Sequence, residues 1–173
     1  MAIPLCPYFG SCGGCTAQHI DYSLQIENKK KQLQSMMKNE NVEVFFDTEY
    51  GYRNRMDFIF HTHGLGLRKK GQLDSIIPIA QCVIAEEKIN SMMKEIQSYF
   101  KDCDAFDVRK HHGTFRYAVI RSTPLDSSVS FVLNSDSQKL HDAIEKIKLF
   151  AEQCSAKNIL VTCVPAQSDV STS

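Results

Sequence analysis

The chain has 173 residues, 43% of them apolar and 23% charged. That length and composition fit one globular domain, or one with a small appendage, and exclude wholesale disorder. Lysine plus arginine and aspartate plus glutamate both number 20, which excludes a uniformly basic nucleic-acid coat. No apolar run reaches the roughly 18 residues of a membrane-spanning helix. The start, Met1-Ala-Ile-Pro-Leu-Cys-Pro7, lacks the charged and apolar regions of a secretory signal, so a cytoplasmic protein with no membrane partner is expected.

In chain order, residues 4–16 read as a glycine-rich irregular loop holding Cys6, Cys12 and Cys15. A helix is predicted over 21–38, with Asp21 as N-cap and Tyr22, Ile26, Leu33 and Met37 near one face. A short strand is predicted at 42–46. Met56, Phe58 and Phe60 then alternate with Arg55, Asp57, Ile59 and His61, the period-two signature of a half-buried strand. His63-Gly64 supplies a turn, 65–69 a returning strand and 75–79 a third. The pattern turns helical over 86–101, where Ile89, Met92, Met93, Ile96, Tyr99 and Phe100 share a face.

Strands at 115–121 and 129–133 flank a turn near Pro124. A helix over 137–153 follows, then a strand at 159–164 and a polar tail reaching Ser173. The order predicts an α+β fold with mostly antiparallel pairing: an N-terminal cysteine-rich lobe with a β-hairpin, then a ββαβ central unit. The expected boundary lies near 102–106, giving units 1–101 and 102–173.

Charge is uneven along the chain. Residues 51–72 carry Arg53, Arg55, Arg68, Lys69 and Lys70 against Asp57 alone, a local +4, and residues 107–121 carry a local +3. Such polarisation suits a face presented to a polyanion, although solvated loops read the same way from charge alone.

Seven cysteines are many for a reducing compartment, where metal ligation or burial is favoured over disulfides. Cys6-x5-Cys12-x2-Cys15 puts three thiols on one short loop, with glycines that let the backbone wrap a compact centre. Zinc and iron–sulfur clusters both take such ligands, usually four. Cys82, at a bend between a strand and a helix, is the best fourth ligand and Cys103 its rival. Cys154 and Cys163 read as buried hydrophobes. A redox dithiol at Cys12-Gly-Gly-Cys15 is the competing reading, but it lacks the preceding strand of that motif.

These residues resemble the RNA uracil-C5-methyltransferases that carry a [4Fe-4S] cluster. The similar stretches are Cys6 to Gln18, then Tyr22, Gln25 and Lys29. Tyr52-Arg-Asn-Arg-Met-Asp-Phe58, Gly64-Leu-Gly-Leu-Arg-Lys69, Ile79-Ala-Gln-Cys82 and Gly113-Thr-Phe-Arg-Tyr-Ala-Val-Ile-Arg121 follow in order. The likeness is greatest to the archaeal-type branch that methylates the T-loop uridine of tRNA. It implies a [4Fe-4S] cluster on Cys6, Cys12, Cys15 and Cys82, and a basic pair, Arg53 and Arg55, on the RNA side. With the charge pattern, the RNA-contact candidates become Arg53, Arg55, Arg68, Lys69, Arg116 and Arg121.

Family members continue into a domain that binds S-adenosylmethionine and holds the catalytic cysteine and base, and this chain is expected to stop before it. The glycines fit that expectation, since none of the eight lies after Gly113 to form a cofactor turn. Uracil C5-methylation needs a thiolate that adds to C6, a base that removes the C5 proton, and a target taken out of its stack. No cysteine here has that company. No catalytic residue is therefore assigned, and the chain alone is expected to be inactive; supply of the catalytic domain by another chain is one reading. The competing reading is a freestanding metal-dependent RNA-binding module. Phe58, Phe60, Phe115 and Tyr117 could stack on bases, but their alternation favours core packing.

Overall fold

A computed structural model describes residues 1–38 and 41–168; the tail at 169–173 lies outside the described residues. Its chain order is α1 (Tyr22–Met37), β1 (Arg55–His61), β2 (Gly64–Lys69), β3 (Gln72–Pro78), α2 (Glu87–Tyr99), β4 (Phe115–Ser122), β5 (Ser127–Asn134), α3 (Leu140–Ala151) and β6 (Asn158–Val164). The strands form one six-stranded sheet in the order β3-β2-β1-β4-β5-β6. It is a mixed sheet, which corrects the mostly antiparallel expectation. Neighbours pair antiparallel from β3 to β5, but β5 and β6 run parallel because α3 crosses between them. The sheet passes without a break across 102–106, since β1 pairs with β4 through Phe58–Ala118 and Ile59–Tyr117.

The alternation in β1 decides where the core lies. Met56, Phe58 and Phe60 are buried, as are Ala118 and Ile120 beside them on β4 and Val129, Phe131 and Leu133 on β5. Helix α2 brings Ile89, Met92, Met93 and Ile96 to this face, and α3 brings Ala143, Ile147 and Phe150. Phe60, Phe100, Phe115, Phe131 and Phe150 form a continuous aromatic cluster with ring centroids 5.1 to 6.2 Å apart, a spacing that adds stabilisation to the buried area. The other β1 positions, Asp57, Ile59 and His61, face the opposite side of the sheet.

Gly113 has φ +107°, and a Cβ there would sit 2.3 Å from the Ala105 carbonyl oxygen. Only glycine lets the 105–114 loop close onto the start of β4. The Asn134 carboxamide donates to the Gly113 carbonyl at 2.9 Å.

Two local expectations are corrected, the strand at 42–46 and the burial of Cys154 and Cys163, while the helix predicted over 21–38 is present as α1. Residues 42–46 form no strand; Phe45 is 85% exposed, and Phe46 instead sets its ring against Tyr22 of α1, 6.4 Å away in an edge-on contact. Alternation makes a strand only where a sheet edge is within reach to share its hydrogen bonds. No residue of α1 is buried, so its apolar stripe packs against nothing large. Cys154, just after α3, is half-buried against the core, and Cys163 is exposed because β6 is an edge strand whose Leu160 and Val161 are also exposed.

Phe131→Ala should therefore cost about 3–5 kcal/mol of unfolding free energy in a urea titration, whereas Leu33→Ala on α1 should change it by less than about 0.5 kcal/mol.

Candidate functional site

The N-terminal loop folds as consecutive tight turns. The amide of Phe9 donates to the Cys6 carbonyl at 3.1 Å, and that of Cys12 to the Tyr8 carbonyl at 2.8 Å. The loop is then stitched to the end of the β2–β3 hairpin: Gly13 N–H donates to Arg68 O at 3.0 Å and Lys70 N–H to Ser11 O at 2.8 Å. A Cβ on Gly13 would lie 3.3 Å from that Arg68 oxygen, which explains a glycine at this seam. The Gln18 side chain accepts from the Cys6 amide at 3.1 Å, and the Tyr8 hydroxyl from the Ala80 amide at 3.0 Å.

Cys82 is held from α2. The Asn90 carboxamide accepts from the Cys82 amide at 2.8 Å and donates to the Cys82 carbonyl at 3.0 Å. Segment 51–53 pairs alongside, with Gly51 N–H on Val83 O and Arg53 N–H on Ile84 O.

The result is one cavity walled by Cys6, Cys12, Cys15 and Cys82, with Tyr8, Leu67, Ile79 and Val83 as apolar neighbours. Burial raises the Cys6 and Cys82 thiols above their ordinary value, and the thiolates of neighbouring cysteines push in the same direction. The rival ligand Cys103 does not line this cavity. It is buried in the main core, where desolvation raises its pKa to about 11 despite the opposing charge of Lys146. Among the described residues no group of three histidine, cysteine or acidic side chains is placed to hold a single metal ion.

Beside this cavity lies a groove of about 910 Å³ on the side of the sheet away from the helices, and Arg53, Arg55, Arg68 and Lys69 all line it. Gly14, Arg53, Met56 and Leu67 wall both hollows. Arg55 is paired with Asp57 at 2.9 Å. The Arg68 guanidinium donates to the Tyr117 hydroxyl at 3.1 Å and to the Leu73 carbonyl. Thus four basic candidates separated along the chain share one surface.

Arg116 and Arg121 do not line it. Arg116, expected as an RNA contact, is only 3% exposed. Its guanidinium donates to the carbonyls of Pro165, at 2.8 Å, and Ser168, and stacks 4.2 Å over the Phe106 ring. Arg121 is half-buried at the far end of β4 and lines a separate hollow with Asp126 and Lys157. The spacing of Tyr117 predicts core packing, but the residue sits on the groove side. It pairs with Ile59 of β1, on the outward-facing side of the sheet. Nothing in the pattern identified Asn90.

No family model matches the chain. The relatives it matches are RNA methyltransferases. An uncharacterised RNA methyltransferase of Caldanaerobacter subterraneus is 28% identical over 159 residues, 84% of this chain and 35% of that protein. More particularly, a tRNA (uracil(54)-C(5))-methyltransferase of Pyrococcus abyssi is 31% identical over 120 residues, 68% of this chain and 30% of that protein. The crystal structure of the Pyrococcus abyssi tRNA (uracil-54, C5)-methyltransferase in complex with S-adenosyl-L-homocysteine superposes with a TM-score of 0.75 at 25% identity, covering 96% of this chain and 40% of that one. The chain thus spans about a third of the length of the curated relatives it matches.

The Cys103 thiol supplies a test of this packing. Its folded-state pKa lies above the 9.0 of a solvated thiol, so the protonated form stabilises the fold fully below pH 9. That contribution falls away as pH rises from 9 through about 11. Urea unfolding across this range should show an alkaline loss of stability that is shallower in Cys103→Ala.

Proposed function

We propose that this chain is the cluster-holding and RNA-recognising part of an S-adenosylmethionine-dependent RNA uracil-C5-methyltransferase of the cytoplasm, acting on tRNA. The observation that carries the reading is the contiguity of two hollows, one walled by four cysteines and the other by four basic side chains, with Arg53 in the wall of both. The names of the relatives, which are RNA and tRNA methyltransferases, point the same way.

The donor set fits a [4Fe-4S] cluster. Four soft thiols line one hollow, a donor set that zinc and a cluster both accept, and the resemblance of the cysteine stretches to cluster-bearing methyltransferases favours the cluster. Cys6, Cys12, Cys15 and Cys82 would hold it, and when bound it would cross-link the N-terminal loop to the turn before α2. The residues themselves do the rest. Asn90 fixes the Cys82 backbone, and the Gly13 and Lys70 amides fix the loop to the basic hairpin end. Arg53, Arg55, Arg68 and Lys69 offer a charged track for phosphates. S-adenosylmethionine and the methyl-transfer chemistry are assigned to a catalytic domain and not to any residue of this chain. Purified residues 1–173 should accordingly transfer no methyl group from labelled donor to tRNA.

Anaerobically purified protein should be brown and hold about four irons per chain. A colourless protein with one zinc would overturn the cluster but keep the ligands. In a fluorescence-anisotropy titration, tRNA affinity should fall steeply with salt. Arg53→Glu and Lys69→Glu should each weaken it by about 1–2 kcal/mol. Arg116→Glu should instead lower the melting temperature, since it strands buried carbonyls and a buried charge. If the Arg53 and Lys69 variants bind like the parent at low salt, the RNA surface is wrongly placed.

A further inference from the structure

A second cavity, of about 380 Å³, opens on the same side of the sheet, within the roughly 300–1,000 Å³ range of small-molecule clefts. Ile59, His61, Ile76 and Tyr117 belong to its lining, which also takes in the loop through Phe106 and Val108. Ile59, Arg68, Leu73 and Tyr117 wall both this cavity and the basic groove, so the two are continuous. Arg109 on the loop and Asp74 on β3 join across the lining through a 2.6 Å hydrogen bond from the Arg109 Nε.

Its chemistry is unlike that of the groove. Apolar side chains stand exposed among the lining residues, Leu73 at 80% and Val108 at 38%. The three arginines there are already engaged: Arg109 with Asp74, Arg68 with Tyr117 and the Leu73 carbonyl, Arg116 with Pro165 and Ser168. Burial also lowers the pKa of His61, which keeps the imidazole neutral. Asp74 and Asp107 also stand in this lining, so it carries less net positive charge than the groove, where Asp57 is the one acidic residue beside four basic ones. A flat ring with apolar faces and polar edges would find an aromatic wall, aliphatic neighbours, and the Thr62 and Ser75 hydroxyls and Asp107 carboxylate for its edges.

We infer that this cavity receives a single unstacked base of the RNA strand whose backbone lies in the basic groove, with Tyr117, at the junction of the two, as its stacking partner. This rests on the RNA reading above and adds a site to it. A base reaches the cavity only by leaving its stack, so the site selects single-stranded or looped RNA over a continuous duplex.

The test uses residues 1–173 and a short single-stranded RNA carrying 2-aminopurine at one position at a time. An end label reports binding by anisotropy, and the 2-aminopurine reports stacking by its fluorescence. One position should be quenched on binding well beyond the others. Tyr117→Leu should abolish that quenching and lower affinity about tenfold, whereas Tyr117→Trp should retain both. Thermal melts of the two variants report whether the sheet is intact, and the tryptophan variant decides the matter if the leucine variant unfolds. If RNA binds with salt-dependent affinity but no position is singled out, the cavity assignment fails and the RNA reading stands. If RNA does not bind at low salt, both fall. Equal quenching of free 2-aminopurine riboside would make the occupant a free nucleoside and overturn the inference.

Discussion

Strand β1 is the constraint on which the rest depends. It is hydrogen-bonded on both sides, to β2 and to β4, so it cannot slip by one residue without exchanging its faces. Such a slip would bring Asp57 and His61 into the aromatic cluster and expel Phe58 and Phe60. The cost of burying the two polar groups would exceed any gain. Because this strand is held in register, one face of the sheet is dry and belongs to the helices, and the other is left for the grooves. The basic residues reach that other face because β1, β2 and the segment before them are held in that register.

The cysteine loop depends on the same frame at one remove. It has little apolar material of its own, although Tyr8 and Cys15 pack on the edge of the core. Its position comes from backbone hydrogen bonds to Arg68 and Lys70. Those residues adjoin the tight end of the hairpin that carries the basic groove. Loop and hairpin end therefore share their hydrogen bonds, and a change in one is felt by the other. That geometry gives a physical link between whatever occupies the cysteine cavity and the shape of the charged surface.

Much of this was legible in the residues. The alternation at 55–61 placed β1, and the helical spacing at 89–100 placed α2 within a residue or two. The loop spacing singled out three cysteines, and the bend at Cys82 the fourth; the structure brings all four around one hollow. What was not legible depended on partners distant in sequence. Residues 42–46 carry a strand-like pattern, but no reading of the segment alone reveals whether a sheet edge is near. Arg116 looks like any basic residue on a strand, and its burial is set by the carbonyls of Pro165 and Ser168 much later in the chain. Phe115 and Tyr117 stand two apart, as alternating core residues do, yet Phe115 is in the core and Tyr117 on the groove side, because a bulge lies between them.

The Asn90 clamp on Cys82 has a consequence of its own. One carboxamide matches both backbone groups of Cys82, acting as acceptor on one side and donor on the other, as a neighbouring strand would. Aspartate has the same shape but only acceptors. In its place the Cys82 carbonyl would face a second oxygen in a half-buried setting. A change of one nitrogen to oxygen, with no change in volume, would thus turn an attraction into a repulsion and loosen the fourth thiol from helix α2.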